Sequence, residues 1–323
     1  MTSTHLLDPE LAAGLAAFPP FSALTAETLP QMRAMITELG TAQIAQLPRD
    51  GVLYEERRVT GPKGAPDVRV TIYRPEKTSG PLPVCLHMHG GGMVMGTPEL
   101  RHAASIAAVQ THACLVVSVD YRLAPEAPFP AAVEDCYAAL AWIWTEAAAL
   151  GIDKTRIVAI GESAGGGLAA SLSILARDRG EYTIAKQILT YPMLDDRSGR
   201  NYDHPYVGEF IWTRDNNMFG WGAYLGDARG KLPPHAVPAR CESLEGLPPA
   251  FVATGTMDLF LEEDIEYARR LIRSGVPTEL HVYPGAFHGF DMIPDAKLTI
   301  ALRRDVRGAL ERAFAQRQHS SST

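Results

Sequence analysis

No Cys-x-x-C pair occurs in this chain of 323 residues, and its four cysteines, Cys85, Cys114, Cys136 and Cys241, show no paired spacing. A structural zinc site or a dithiol redox centre needs such clustering, so neither a metal nor a redox cofactor is expected. Cys85 and Cys114 fall inside apolar runs, where a free cysteine behaves as a small hydrophobe. Any uninterrupted apolar stretch near the ~20 residues that cross a bilayer is also missing. The N-terminus shows no basic start followed by an apolar segment, so no signal peptide is expected. Charge of one sign never accumulates. The net charge of −7 is spread along the chain, leaving no basic patch for nucleic acid or an acidic membrane surface. Internal repeats and low-complexity tracts are absent. The expectation is a reduced, cytoplasmic protein without nucleic-acid or membrane partners, with homodimerisation left open.

What is present suits a globular fold. Hydrophobic residues make up 46% and charged residues 21%, close to the usual composition, and the length suits one large α/β domain with an insertion. From Val52 onward, short β-rich runs alternate with Ala-rich stretches of helical length. The runs are Val52–Thr60, Val68–Arg74, Val84–Met88, Cys114–Asp120, Arg156–Ile160, Ala185–Thr190, Ala250–Thr254 and Thr278–Tyr283. Near-continuous apolar strands between helices predict an α/β class fold: a mostly parallel eight-stranded sheet covered on both faces, with an antiparallel pair at the start.

Two regions break the alternation. Residues 1–50 carry helical patterns (Leu6 to Ala17, Ala26 to Leu39) and no strand. Residues 195–246 are aromatic-rich, with Tyr202, Tyr206, Phe210, Trp212, Phe219, Trp221 and Tyr224. There Met218, Trp221, Gly222 and Leu225 fall at helical spacing behind Thr213, an expected N-cap. Such a stripe reads either as plain core or as the underside of a cap lining a substrate pocket. The remaining segments, 51–194 and 247–323, form the expected catalytic core.

Gly161-Glu162-Ser163-Ala164-Gly165 follows one apolar strand and opens a helical stretch, the context of a nucleophile elbow. The reason is steric. The serine must sit in a strained conformation with its hydroxyl exposed, so the positions two before and two after it have no room for a Cβ. His89-Gly90-Gly91-Gly92 directly follows the run Val84–Met88. Uncovered backbone N–H groups there can hydrogen-bond a developing oxyanion.

A serine needs a base, and the base an orienting acid, here in the order Ser, Asp or Glu, His. Of the later histidines, His319 lies in a polar tail, and His204 and His235 fall in the proline-punctuated insert. His281 sits within a strand, facing solvent or a neighbouring helix. His288 lies in a loop just past the last strand, where binding groups concentrate. Asp258 follows Ala250–Thr254 by a short link, whereas Glu262, Glu263 and Asp264 read as a solvated helix start favoured by the helix dipole.

Five blocks in order carry a resemblance: His89-Gly90-Gly91-Gly92; Asp120-Tyr121-Arg122-Leu123-Ala124-Pro125-Glu126 with Phe129-Pro130-Ala131; Gly161 to Gly166; Asp258-Leu259; and His288-Gly289-Phe290. The chain resembles the hormone-sensitive-lipase group of α/β-hydrolases, the bacterial family IV esterases. The family usually has Asp or Thr where Glu162 stands, and often Asp-Pro-Leu at the acid, where Leu259 and Phe260 follow here. The resemblance implies a carboxylesterase with Ser163, Asp258 and His288 as triad, an oxyanion hole from Gly91, Gly92 and Ala164, and no cofactor. It also implies a helical cap from residues 1–50 and 195–246, and a supporting role for Tyr121, Arg122 and Glu126 beneath the oxyanion loop. Glu162 reads as a buried ion-pair partner of an arginine or histidine rather than a reactant.

The expected substrates are short- to medium-chain carboxylic esters. Phe210, Trp212 and Phe219, with Phe18 and Phe21 of the N-terminal segment, are the candidate pocket lining. An amidase, or an esterase specialised for one natural ester, would use the same triad. A non-catalytic receptor on this fold would lack the catalytic histidine, and His288 speaks against it.

Overall fold

The computed structural model describes residues 3–17, 23–200, 204–229 and 232–315. Phe18, Phe21, Tyr202 and His319 lie outside the described residues. The eight expected strands all form: β1 (Val52–Val59), β2 (Val68–Pro75), β3 (Leu82–Met88), β4 (Leu115–Asp120), β5 (Ile152–Glu162), β6 (Lys186–Thr190), β7 (Ala250–Gly255) and β8 (Thr278–Tyr283). They make one sheet in the order β1-β2-β4-β3-β5-β6-β7-β8. Antiparallel pairing is confined to β1 with β2 and β2 with β4, and every other pair is parallel.

Each strand's place follows from its side chains. All residues of β3, β6 and β7 are buried, as a parallel strand covered on both faces requires. The outer strand β1 carries Glu55, Glu56, Arg57 and Arg58, charges that discourage pairing with a further strand.

The described helices are α1 (Pro9–Leu15), α2 (Leu29–Gln46), α3 (His102–His112), α4 (Ala131–Thr145), α5 (Ala147–Leu150), α6 (Ala164–Arg179), α7 (Arg214–Leu225), α8 (Leu261–Arg273) and α9 (Lys297–Ala315). The period of two along the strands divides the core. Val84, Leu86 and Met88 of β3 pack with Leu140 of α4, Leu172 of α6 and Leu271 of α8. Cys85 between them joins Leu11 of α1, Ile106 of α3 and Leu310 of α9 on the other face. Every residue of α6 from Ala164 to Ala176 is buried, so the helix that follows Ser163 lies inside the molecule.

The insert leaves the sheet after β6 and returns at β7. Thr213 caps α7 as expected, accepting from the Asn216 N–H. The buried face of α7 is rotated from the one expected: Met218 is exposed, and Asn217, Gly220, Trp221, Tyr224 and Leu225 are buried.

A second correction concerns α8. Glu262 is exposed, but Glu263 and Asp264 are buried. Asp264 falls on the stripe Phe260, Asp264, Tyr267, Ala268, Leu271, which is the inward face at helical spacing. Glu263 reaches the insert, accepting from the N–H groups of Leu194 at 2.6 Å and Asp195 at 3.1 Å, and from the Ser198 hydroxyl. His281 lies beside a helix, with Nδ1 3.6 Å from Asp305 of α9.

Candidate active site

The carboxyl ends of β3, β5, β7 and β8 each deliver one part of the site. At the end of β5, Ser163 has φ 55° and ψ −123°, a strained region for a residue with a Cβ. Surrounding backbone holds it there: Ser163 N–H donates to Thr190 O at 2.9 Å, and Ser163 O accepts from Gly167 N and Met193 N. The steric argument holds at both glycines. A Cβ on Gly161 would lie 2.3 Å from Gly165 O, and one on Gly165 would lie 2.0 Å from Met88 O.

His288 stands in the loop after β8, with Nε2 2.8 Å from Ser163 Oγ and Nδ1 2.8 Å from Asp258 Oδ2. Asp258 is fully buried; its other oxygen accepts the Phe260 N–H at 2.9 Å. With the imidazole neutral, the serine hydroxyl donates to Nε2 and Nδ1–H donates to the carboxylate. Aromatic rings enclose the imidazole, with centroids at 4.9 Å for Tyr191, 5.0 Å for Phe260 and 6.2 Å for Trp212.

The loop His89–Gly92 passes Ser163 so closely that a Cβ on Gly90 would sit 3.4 Å from Ser163 Cβ. Gly91 has φ 124° and Gly92 φ 62°, conformations that side chains rarely adopt. Ala164 is the first residue of α6, so its N–H has no carbonyl partner within the helix. Tyr121 supports this loop directly: its hydroxyl donates to His89 O at 2.7 Å and its ring stacks 4.2 Å from the imidazole. Burial pushes the His89 imidazole down to about 4, which keeps it neutral under the stack. The other two expected supports act elsewhere. Arg122 pairs with Asp135 of α4 at 2.7 Å. Glu126 pairs with Arg33 of α2, which also donates to Val94 O and Ala124 O at 2.7 Å each.

Among the candidate lining residues, Trp212 comes to the site. A Cβ on Gly92 would meet its ring at 2.2 Å, and its Nε1 donates to Asn217 Oδ1 at 3.2 Å. Phe210 faces Phe287, the neighbour of His288, at 6.2 Å, and Phe219 is a half-buried part of the larger core. A cavity of about 430 Å³ within the insert is lined by Pro205, Val207, Gly208, Glu209, Thr213, Arg214 and Asp215, and not by these three residues.

Glu162 has both partner types anticipated for it. Arg101 Nη2 lies 2.8 Å from one oxygen and His87 Nε2 3.0 Å from the other. Burial raises its carboxyl, but the Arg101 guanidinium and the interaction with the His87 ring outweigh this and hold it at about 2. Arg101, His87 and Asp291, its other carboxylate partner, carried no local sequence signal, because long separations along the chain divide them. Among the described residues no group of three His, Cys, Asp or Glu side chains could hold a metal ion, and no helix is long and apolar enough to cross a membrane.

A family model for the α/β-hydrolase fold matches residues 85–292. The carboxylesterase NlhH of Mycobacterium tuberculosis is 36% identical over 289 residues, covering 88% of each chain. An arylesterase of Saccharolobus solfataricus is 36% identical over 69% of this chain and 73% of its own. A solved bacterial heroin esterase superposes with a TM-score of 0.90 at 39% identity, covering 98% of this chain and 100% of its own. With its sheet, its nucleophile elbow and these relatives, the chain belongs to the α/β-hydrolase-fold family, in the hormone-sensitive-lipase group, and is a carboxylesterase.

Proposed function

We propose that Ser163, His288 and Asp258 carry out ester hydrolysis through an acyl-enzyme. The observation supporting this most directly is the unbroken chain Ser163–His288–Asp258, with both links 2.8 Å long. Ser163 attacks the ester carbonyl as His288 takes its proton. Asp258 sets the imidazole tautomer and stabilises the imidazolium. The N–H groups of Gly91, Gly92 and Ala164 receive the oxyanion, each contributing roughly 10²–10³ in kcat. The alcohol departs with the proton from His288, and water activated by the same base releases the acid.

Residues 1–50 and 195–246 form the cap in this reading, with Trp212 as the roof over Gly92 and His288. Bulky rings on that side favour a short apolar acyl pocket and hence short- to medium-chain esters. The four cysteines are free and buried, which suits a reducing, cytoplasmic setting.

The direct test is Ser163→Ala assayed on p-nitrophenyl butyrate. Turnover should vanish while the thermal transition stays at or above that of the parent. More than a trace of activity in the pure variant would remove Ser163 from the role.

A further inference from the structure

Ser163 directly follows β5 and His288 lies in the loop after β8, two strands that β6 and β7 separate in the sheet. The ladders that link them run through those two strands and end where the loops begin, so beyond the strand ends side chains must set the separation of the two loops. One side chain spans it. Arg101 ends the short turn Pro98–Arg101 that leads into α3, and its guanidinium forks: Nη2 lies 2.8 Å from Glu162 Oε1 and Nη1 2.9 Å from Asp291 Oδ2. Glu162 immediately precedes Ser163, and Asp291 sits in the turn Phe290–Met292 that follows His288. Both carboxylates are gripped from other directions too. His87, bound to Glu162, is itself 2.6 Å from Ser118 Oγ through Nδ1. Asp291 accepts from the hydroxyl of Tyr191, whose ring stands edge-on to the His288 imidazole.

We propose that Arg101 is a positioning residue for ester hydrolysis, its fork between Glu162 and Asp291 setting the distance between Ser163 and His288. The proposal rests on the triad reading above. None of the clamp residues touches the reacting atoms. Their leverage is geometric, because a misplacement of about 1 Å in reacting groups costs up to roughly 10² in rate. Charge gives a second readout. The anions near His288 are Asp258, Glu162 and Asp291, Arg101 is the cation between the last two, and His87 and Tyr191 complete the set. Removing the guanidinium leaves two carboxylates uncompensated, which favours the protonated imidazole.

The test counts competent serines with a p-nitrophenyl phosphonate burst and expresses kcat per titrated site. Arg101→Met keeps the apolar stem and removes the fork. It should lose roughly 10–100-fold in kcat per site with KM within about twofold, and the acidic limb of kcat/KM should move to higher pH. Arg101→Lys should restore the limb and only part of kcat, since a compact ammonium lacks the rigid, wide fork with which two guanidinium nitrogens hold the carboxylates apart. Asp291→Asn serves as the milder variant should Arg101→Met fold poorly, and it should lose kcat by several-fold at unchanged KM. If these variants lowered only thermal stability or the titratable fraction, leaving kcat per site and the pH limb parental, Arg101 would be a structural ion pair and the proposal would fall. A parent enzyme that phosphonate failed to titrate would instead refute the triad reading.

Discussion

Asp264 is fully buried, and among the described residues neither carboxyl oxygen has a hydrogen-bond partner. Burial first, then the neighbouring carboxyls of Glu263 and Asp258, push its carboxyl well above the usual range. The unfolded chain ionises at the ordinary carboxylate pH, so the folded state binds the extra proton. The residue's contribution to stability is therefore complete below about pH 4 and is lost as pH rises towards the folded value. Asp264→Asn keeps the neutral form at every pH. It should melt higher than the parent at pH 8, with a margin that closes towards pH 4 in parallel thermal scans. A margin independent of pH would mean that the carboxyl is ionised. Activity separates the two acids: Asp258→Asn should lose about 10⁴ in kcat through a mis-set imidazole tautomer, and Asp264→Asn should stay near the parent.

Between elements, α2 and the insert each meet the segments around the loop His89–Gly92. Arg33 of α2 makes two bonds to backbone carbonyls and one exposed ion pair with Glu126, whose side chain is 65% exposed. Exposed pairs contribute about 0–1 kcal/mol, whereas charge-assisted bonds to less exposed groups contribute about 1.5–3 kcal/mol. Glu126→Gln should thus be close to neutral in denaturant titrations, and Arg33→Ala should cost about 2 kcal/mol. Equal losses would place the energy in the ion pair. On the other side of the loop, Gly92 has φ 62° and a Cβ there would strike Trp212. Gly92→Ala should lose at least roughly 10² in kcat, the effect of losing one oxyanion donor. Adding Trp212→Ala should recover part of it by relieving the clash, the backbone strain remaining. No recovery would mean that the ring is not the obstacle.

At the scale of the whole molecule, the proposed aromatic roof predicts an acyl chain-length profile. Each added methylene gains about 0.8 kcal/mol only while it can be buried, so activity on p-nitrophenyl esters should climb from acetyl to butyryl or hexanoyl and then fall. A profile still rising at palmitoyl would reveal an open groove. Deleting residues 1–40 removes α1 and most of α2, including Arg33. Activity should drop and binding of an apolar dye should rise; an unaffected enzyme would exclude this segment from the cap. Acid should loosen the site's frame. His89, held down by burial, gives stability that is lost as pH falls below its ordinary value near 6.5, and Glu162 adds to that loss below about 4.5.

Strand existence, sheet class, the elbow and the candidate residues that meet as Ser163, His288 and Asp258 were legible in the chain because each rests on local chemistry. Apolar runs mark strands, glycines mark the places where Gly161 and Gly165 admit no Cβ, and a histidine just past the last strand stands where the base is needed. The neighbours of those residues were not legible. Asp264 read as solvated because the expectation weighed its charge above the stripe it shares with Phe260, Tyr267 and Leu271. Met218 read as buried because spacing defines a helix's apolar stripe without saying which side meets the core. Arg122 and Glu126 sit in the same block as Tyr121, yet Tyr121 alone of the three holds the oxyanion loop. Arg101 and Asp291 flank the site from segments far apart in the chain. Sequence alone marked the residues that could carry chemistry, because reactivity and backbone freedom are properties of single residues. Only the tertiary structure decided which charges face one another, because packing of the sheet brings together groups that no local spacing relates.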